Sequence, residues 1–127
     1  MKDTNRKLEA IPAAENYPEA MRQANALKWG LCGEVDLRRA AELYRFCTGC
    51  GDRAIAAAAY YNLGLLSYFG LADEADAPRA FNCFIHSVLI RPTREALSYL
   101  ADMYRYGQYV ERDEAIALSL YLQAAGA

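Results

Sequence analysis

The distribution of apolar and polar residues along the chain predicts six helices and no strand with alternating polarity. The most apolar segment, residues 54–72, contains no charged residue. A helix that is apolar on every face either packs between other helices or crosses a membrane. Asn62, Gly64 and Ser67 interrupt this segment, which barely reaches the ~18–20 residues of a membrane span. We therefore expect a buried helix with neighbours on both sides, in a soluble protein.

Proline, glycine and small polar residues mark where the predicted helices begin and end. Pro18 and Pro78 stand in first turns, where a missing backbone N–H costs no hydrogen bond. Gly30, Gly70 and Gly107 follow three helices, at positions suited to a left-handed residue. Side chains that can cap a first turn precede every helix after the first, namely Asp36, Asp52, Asp76, Thr93 and Asp113. The connectors are short, so consecutive helices should form antiparallel pairs.

The helices repeat in pairs along the chain. An offset of 37 residues aligns Leu63 with Leu100 and Asp76 with Asp113, and an offset of 40 aligns Asp36 with Asp76. Such self-similarity is the signature of a helical solenoid. We predict one domain, residues 16–127, with repeats at about 16–51, 52–91 and 92–127. Residues 1–15 show no sustained period and are expected to form a flexible or frayed leader.

Residues 96–126 closely resemble a Sel-one-like repeat, a relative of the tetratricopeptide repeat. The matching positions are Ala96, Leu100, Tyr104, Gly107, Val110, Asp113, Ala117, Tyr121, Ala124 and Ala125. Residues 59–88 match the pattern less completely, and residues 20–51 match it least. The resemblance implies an all-α fold, a right-handed superhelix of about three antiparallel helix pairs. It also implies a non-enzymatic adaptor for other proteins, without catalytic residues or a cofactor.

Analogy with tetratricopeptide grooves implies where a partner protein or peptide would bind. Positions i, i+4, i+7 and i+8 of the first helix in each pair share one face, which by this analogy lines the concave side. Trp, Tyr and Arg dominate protein-binding hot spots. The predicted binding residues are Trp29, Tyr61, Leu65, Tyr68, Asp102, Arg105 and Tyr106. An alternative interpretation, that the aromatic residues are ordinary packing between helices, stays open.

The cysteines offer a second function of a different class. Cys47 and Cys50 form a C-x-x-C pair, and Cys83 and His86 share a helix face at i, i+3 spacing. Neighbouring second helices could bring the four together as a zinc or redox site. Against this, a thioredoxin-like C-x-x-C motif needs a βαβ context, and free cysteine is a common core residue. A small metal- or redox-active helical protein is therefore the alternative.

The net charge and the sequences of the two terminal segments limit the kinds of partner that we expect. A net charge of −2 and an isoelectric point near 5.4 leave no broad basic surface for nucleic acid. The first residues have no apolar core typical of a secretory signal, so we expect a cytoplasmic protein and no membrane partner. The last helix has polar side chains only at Glu114, Ser119 and Gln123. Because a terminal repeat needs a polar outer face, we expect a homodimer or further chain to cover it.

Overall fold

A computed structural model describes residues 16–31 and 33–127, and every regular element within them is a helix. The predicted leader, residues 1–15, lies outside the described residues. The helices are α1 (Tyr17–Trp29), α2 (Leu37–Cys47), α3 (Arg53–Phe69), α4 (Ala77–Ile90), α5 (Arg94–Tyr106) and α6 (Glu114–Gly126). They pack as the pairs α1–α2, α3–α4 and α5–α6, and each pair packs against the next. The predicted all-α solenoid is confirmed.

Five of the six helices begin at a residue whose side chain caps the first turn, as the sequence predicts. Asp36 accepts a hydrogen bond from the Arg39 amide at 3.0 Å, and Asp113 accepts one from Ile116 at 3.0 Å. Asp52, Asp76 and Thr93 cap their helices in the same way. Asn16, which precedes α1, makes no such bond. Each cap satisfies an N–H that the helix itself leaves unpaired.

The first helix of each pair ends in the same turn. Gly30, Gly70 and Gly107 have φ values of 69°, 65° and 67°, a left-handed conformation that glycine adopts without steric cost. The backbone N–H of the following aspartate then returns to the helix in all three repeats. These bonds join Asp36 to Leu27, Asp76 to Ser67 and Asp113 to Tyr104, at 2.9–3.0 Å. The offsets of 40 and 37 residues therefore hold in the backbone as well as in the sequence.

Small residues allow the helices of a pair to approach closely. Gly64 in α3 is buried, and a Cβ there would lie 2.6 Å from the ring of Phe84 in α4. Ala20, Ala40 and Ala80 are completely buried at other helix contacts. α3 contacts α2 on one side and α4 on the other, as its uncharged sequence predicts. Within the described chain, no helix is both long and apolar enough to cross a membrane.

Candidate protein-binding surface

The seven predicted binding residues divide into exposed and half-buried groups. Trp29 and Tyr106 are 67% and 62% exposed, and Arg105 is also exposed. Tyr61, Leu65, Tyr68 and Asp102 are half-buried. All seven lie on α1, α3 and α5, the first helices of the three pairs. The predicted residues therefore share the first helices of the pairs, although only some of them are exposed to solvent.

Tyr61 and Tyr68 pack against the hydrophobic core where the second pair meets the third. The Tyr61 ring centroid is 6.1 Å from Phe84 and 6.3 Å from Tyr99, and Tyr68 is 5.4 Å from Tyr99. Leu65 packs against the same cluster. Burial, followed by the neighbouring Tyr99, raises the pKa of Tyr61 to about 12. These contacts are those of packing residues, and a binding role for these side chains stays a prediction.

Polar contacts hold the remaining face residues. The Tyr121 hydroxyl of α6 donates a hydrogen bond to the Asp102 carboxylate of α5. The Arg105 guanidinium lies 5.3 Å from the centroid of the Tyr106 ring. In the first pair, Lys28 Nζ lies 4.9 Å from the centroid of the Trp29 ring. A cation beside an aromatic face is attracted by the ring quadrupole, so Trp29 and Tyr106 occupy similar surroundings at the two ends of the solenoid.

One exposed aromatic residue precedes the helix-ending glycine in every repeat. The offsets of 40 and 37 residues align Trp29 with Phe69 and Phe69 with Tyr106. Phe69 is 53% exposed, comparable with the other two. We name these three residues the aromatic edge. Phe69 was missing from the predicted set, although its repeat position was the available signal. The three residues precede equivalent turns, so they lie at the same end of the three first helices.

Cys47 and Cys50 occupy separate local environments at the end of α2. Cys47 is buried, and its thiol donates to the Tyr17 carbonyl at 3.7 Å. Burial, then the nearby Cys50, raises the pKa of Cys47 to about 11. The Cys50 sulfur accepts a hydrogen bond from the Asp52 backbone N–H at 3.4 Å. A reactive or metal-binding thiol needs its thiolate stabilised, which is the reverse of what burial does to Cys47.

Cys83 and His86 are the other two residues of the predicted alternative site. The His86 ring stacks on Tyr60 with centroids 4.8 Å apart, and its Nδ1 lies 2.8 Å from the Asn82 carbonyl oxygen. Cys83 faces a cleft between α2 and α4. Across residues 16–31 and 33–127, no three His, Cys, Asp or Glu side chains are grouped to hold a metal ion. The structure thus gives the metal-site alternative no support.

Comparisons with known proteins agree with the repeat. The family model described as Sel1 repeat matches residues 24–46, 57–85 and 94–127. A crystal structure of a Sel1 repeat protein from Oxalobacter formigenes is similar over 87% of this chain, with a TM-score of 0.75 and 24% sequence identity. The chain spans 43% of that protein, which is less than half its length. No curated protein matches significantly. With three matched segments that together cover most of its length, the chain belongs to the Sel1 repeat family.

Proposed function

We propose that the chain is a non-enzymatic adaptor that binds another protein or peptide along its first helices. Sel1 repeats generally mediate protein–protein interaction, and they form a non-catalytic repeat family. The observation that carries the proposal is the aromatic edge, with Trp29, Phe69 and Tyr106 more than half exposed at equivalent positions. Exposed apolar groups that recur in one place are typical of interaction sites, whereas single exposed residues need no explanation.

The chemistry of the aromatic edge suits a partner that offers apolar side chains. Aromatic side chains supply a large contact area at a low cost in rotamer entropy. Leu31 and Leu71, which follow the helix-ending glycines of the first two pairs, are 73% and 47% exposed and extend the apolar surface. The half-buried residues of the predicted face, Tyr61, Leu65, Tyr68 and Asp102, would then contact the partner only through the parts of their side chains that reach solvent.

The test uses the single tryptophan of the chain as a reporter. Proteins captured by the immobilised chain are identified, purified and titrated, while Trp29 fluorescence follows binding. Trp29→Ala and Tyr106→Ala should each weaken binding by about 1–3 kcal/mol, with unchanged melting temperatures. Binding by the Trp29 variant is measured calorimetrically. Leu89→Ala is the matched control, because Leu89 is 75% exposed on α4, a second helix. Equal binding by the Trp29, Tyr106 and Leu89 variants would contradict the proposal.

We also propose that a second copy covers the outer face of α6. Leu118 and Leu122 are 58% and 65% exposed there. The 37-residue offset aligns them with Phe81 and Ile85 of α4, which are half-buried where the third pair packs. The first pair presents a different surface, because α1 carries the exposed ion pair of Arg22 with Glu19. An apolar α6 face is therefore better matched by another α6, in a two-fold dimer, than by α1.

A further inference from the structure

A cleft of about 1210 Å³ separates the second helices of the first two pairs, α2 and α4. Its apolar lining comes from Ala41 on α2 and from Leu63 and Leu66 on α3. Charged side chains from α2, α4 and the loop before α4 also line it, namely Arg38, Arg45, Arg79, Asp73, Glu74 and Asp76. The cleft is thus bounded by both apolar and charged groups, and none of the three residues of the aromatic edge lines it.

The next junction of the solenoid shows why this cleft is open. Between the second and third pairs, the Phe81 ring centroid lies 5.9 Å from Tyr104 and 5.6 Å from Tyr109. The repeat offsets align these three aromatic residues with Ala41, Ser67 and Ala72. All three of the smaller residues line the cleft. Because protein interiors are packed to a nearly constant density, removing three rings from a junction leaves space of this kind.

The charges around the cleft are only partly paired. Arg38 lies 3.3 Å from Asp73, and Arg79 lies 3.7 Å from Asp76, which also caps α4. Among the residues that the structure describes, no hydrogen-bond or ion-pair partner contacts the Arg45 guanidinium, and the same holds for the Glu74 carboxylate. A guanidinium binds a carboxylate through two parallel hydrogen bonds and also stacks on aromatic rings. The Arg45 guanidinium, which interacts electrostatically with the Cys83 thiol, therefore has hydrogen-bond donors left for a ligand.

We propose that this cleft binds a partner peptide that inserts one aromatic side chain between α2 and α4. The ring takes the place that Phe81 fills at the next junction. A carboxylate next to that ring in the peptide pairs with Arg45, and Glu74 can accept a backbone N–H from the peptide. The proposal does not rest on the aromatic edge, because the two surfaces share no residue.

The probe for the test is the peptide N-acetyl-Ala-Phe-Glu-Ala-amide, titrated into the ¹⁵N-labelled full chain. The expected result is saturable shifts of the amide signals of Ala41, Ser67, Ala72 and Cys83, which line the cleft. A peptide with alanine in place of phenylalanine should bind about tenfold more weakly. A peptide with lysine in place of glutamate should lose about two- to fivefold. Unmoved signals at these residues up to the solubility limit of the probe would overturn the proposal.

Two variants separate the two contributions to binding. Ala41→Phe supplies the ring found at the equivalent position, and it should abolish peptide binding without lowering the melting temperature. Ala54→Phe, at an exposed position in the first turn of α3, should leave binding unchanged. Arg45→Gln should reduce affinity for the glutamate peptide about two- to fivefold and leave affinity for the lysine peptide unreduced. Arg45→Gln still tests the proposal if Ala41→Phe unfolds.

A third variant distinguishes the cleft from the aromatic edge. Trp29→Ala removes the most exposed ring of the aromatic edge and should leave affinity for the phenylalanine–glutamate peptide unchanged. If binding is lost in Trp29→Ala but retained in folded Ala41→Phe, the peptide binds at the aromatic edge and the proposed cleft site is wrong. Retention in Trp29→Ala with loss in Ala41→Phe supports the cleft, whatever the aromatic edge binds.

Discussion

The glycines of this chain differ in what their surroundings would do to an added side chain. At Gly70, with φ 65°, a Cβ would lie 2.8 Å from the backbone nitrogen of Ala75. At Gly107 the nearest atom, Arg112 Cβ, would be 3.4 Å away, and at Gly33 and Gly51 no atom lies within 4 Å. Gly33 nevertheless has φ 114°, which L-residues rarely adopt. Backbone conformation and space are therefore separate reasons for glycine at these positions.

These differences predict an order of stability. Gly70→Val and Gly107→Val should each lower the free energy of unfolding by ~1 kcal/mol or more. The loss should be larger at Gly70, because the atom nearest to its added Cβ belongs to the backbone. Gly33→Val should cost less than Gly70→Val, because a Cβ at Gly33 would meet no neighbouring atom. Gly51→Ala is the control, since a Cβ there meets open space. Urea denaturation measures all four variants, and equal tolerance at Gly70, Gly107 and Gly51 would contradict the turn assignment.

Burial of the Tyr61 hydroxyl makes the stability of the fold depend on pH. Burial raises its pKa to about 12, above the ~10 of an unfolded tyrosine. The folded chain thus favours the neutral phenol, so the contribution to stability is complete below about pH 10 and is lost as pH rises towards 12. Tyr61→Phe, which cannot ionise, should lose less melting temperature between pH 9 and 11 than the unmodified chain. Tyr106→Phe removes an exposed hydroxyl as the control, and identical profiles for both variants would contradict this.

At the scale of the helix, capping and turn signals agree with the structure because they are local. A cap needs only a short polar side chain just before the first turn, so sequence neighbours alone establish it. The caps at Asp36, Asp52, Asp76, Thr93 and Asp113 were all predicted correctly. Side-chain roles on the helix faces were harder to predict, because a residue such as Tyr68 can face a groove or a neighbouring helix with the same periodicity.

Removing one cap should therefore have a defined cost. Asp113→Ala should lower the free energy of unfolding by about 1 kcal/mol, because the Ile116 N–H loses its partner. Asn16→Ala should change it by far less, since the Asn16 side chain makes no capping bond. Both variants are compared by thermal melts followed by circular dichroism at 222 nm. A larger loss in the Asn16 variant than in the Asp113 variant would show that these caps do not govern stability.

At the scale of the whole molecule, the two junctions between pairs differ, although the repeats share one backbone plan. The second junction holds a stacked pair of rings, Phe84 and Tyr99, with centroids 5.3 Å apart. At the first junction the core cluster holds Ala41 and Ala72 where the second junction has Phe81 and Tyr109, and Lys28 donates to Asn62 at 2.6 Å. Side-chain volume at equivalent positions therefore decides whether a junction is closed or contains a cleft. The outer face of α6 is apolar, and none of the helices that the structure describes covers Leu118 or Leu122.

The proposed α6 dimer is tested by light scattering coupled to gel filtration. The unmodified chain should form a dimer, and Leu118→Glu with Leu122→Glu should form a monomer, because a charge buried at an apolar interface is costly. Leu89→Glu places the same charge on an exposed α4 position and should leave the dimer intact. A monomeric unmodified chain at high protein concentration would contradict the dimer and leave the α6 face to a different partner.

For the described part of the chain, the sequence by itself determined the six helices, the capped starts of five of them, the glycine ends of α1, α3 and α5, and the repeat that pairs them. The helix starts and ends depend on residues within one or two helical turns of each other, and the repeat recurs at nearly constant offsets, so a linear pattern records them. It also identified the Sel1 repeat, because turn glycines, capping aspartates and close-packed alanines must recur at every pair. The aromatic side chains follow no such rule. An aromatic residue precedes Gly70, and aromatic residues also line the contact between α3 and α5.

Only the tertiary structure decided which of those aromatic side chains are exposed. Trp29, Phe69 and Tyr106 are more than half exposed, although the Phe69 ring also lies 5.9 Å from Tyr99, whereas Tyr61 and Tyr68 are half-buried at a junction. It also showed that no three metal-binding side chains are grouped among the described residues, and that Ala41, Ser67 and Ala72 together leave a cleft. The physical reason is that burial and cavity volume depend on side chains from different helices, which are distant from each other in the chain. Those side chains are brought together by the stacking of helix pairs.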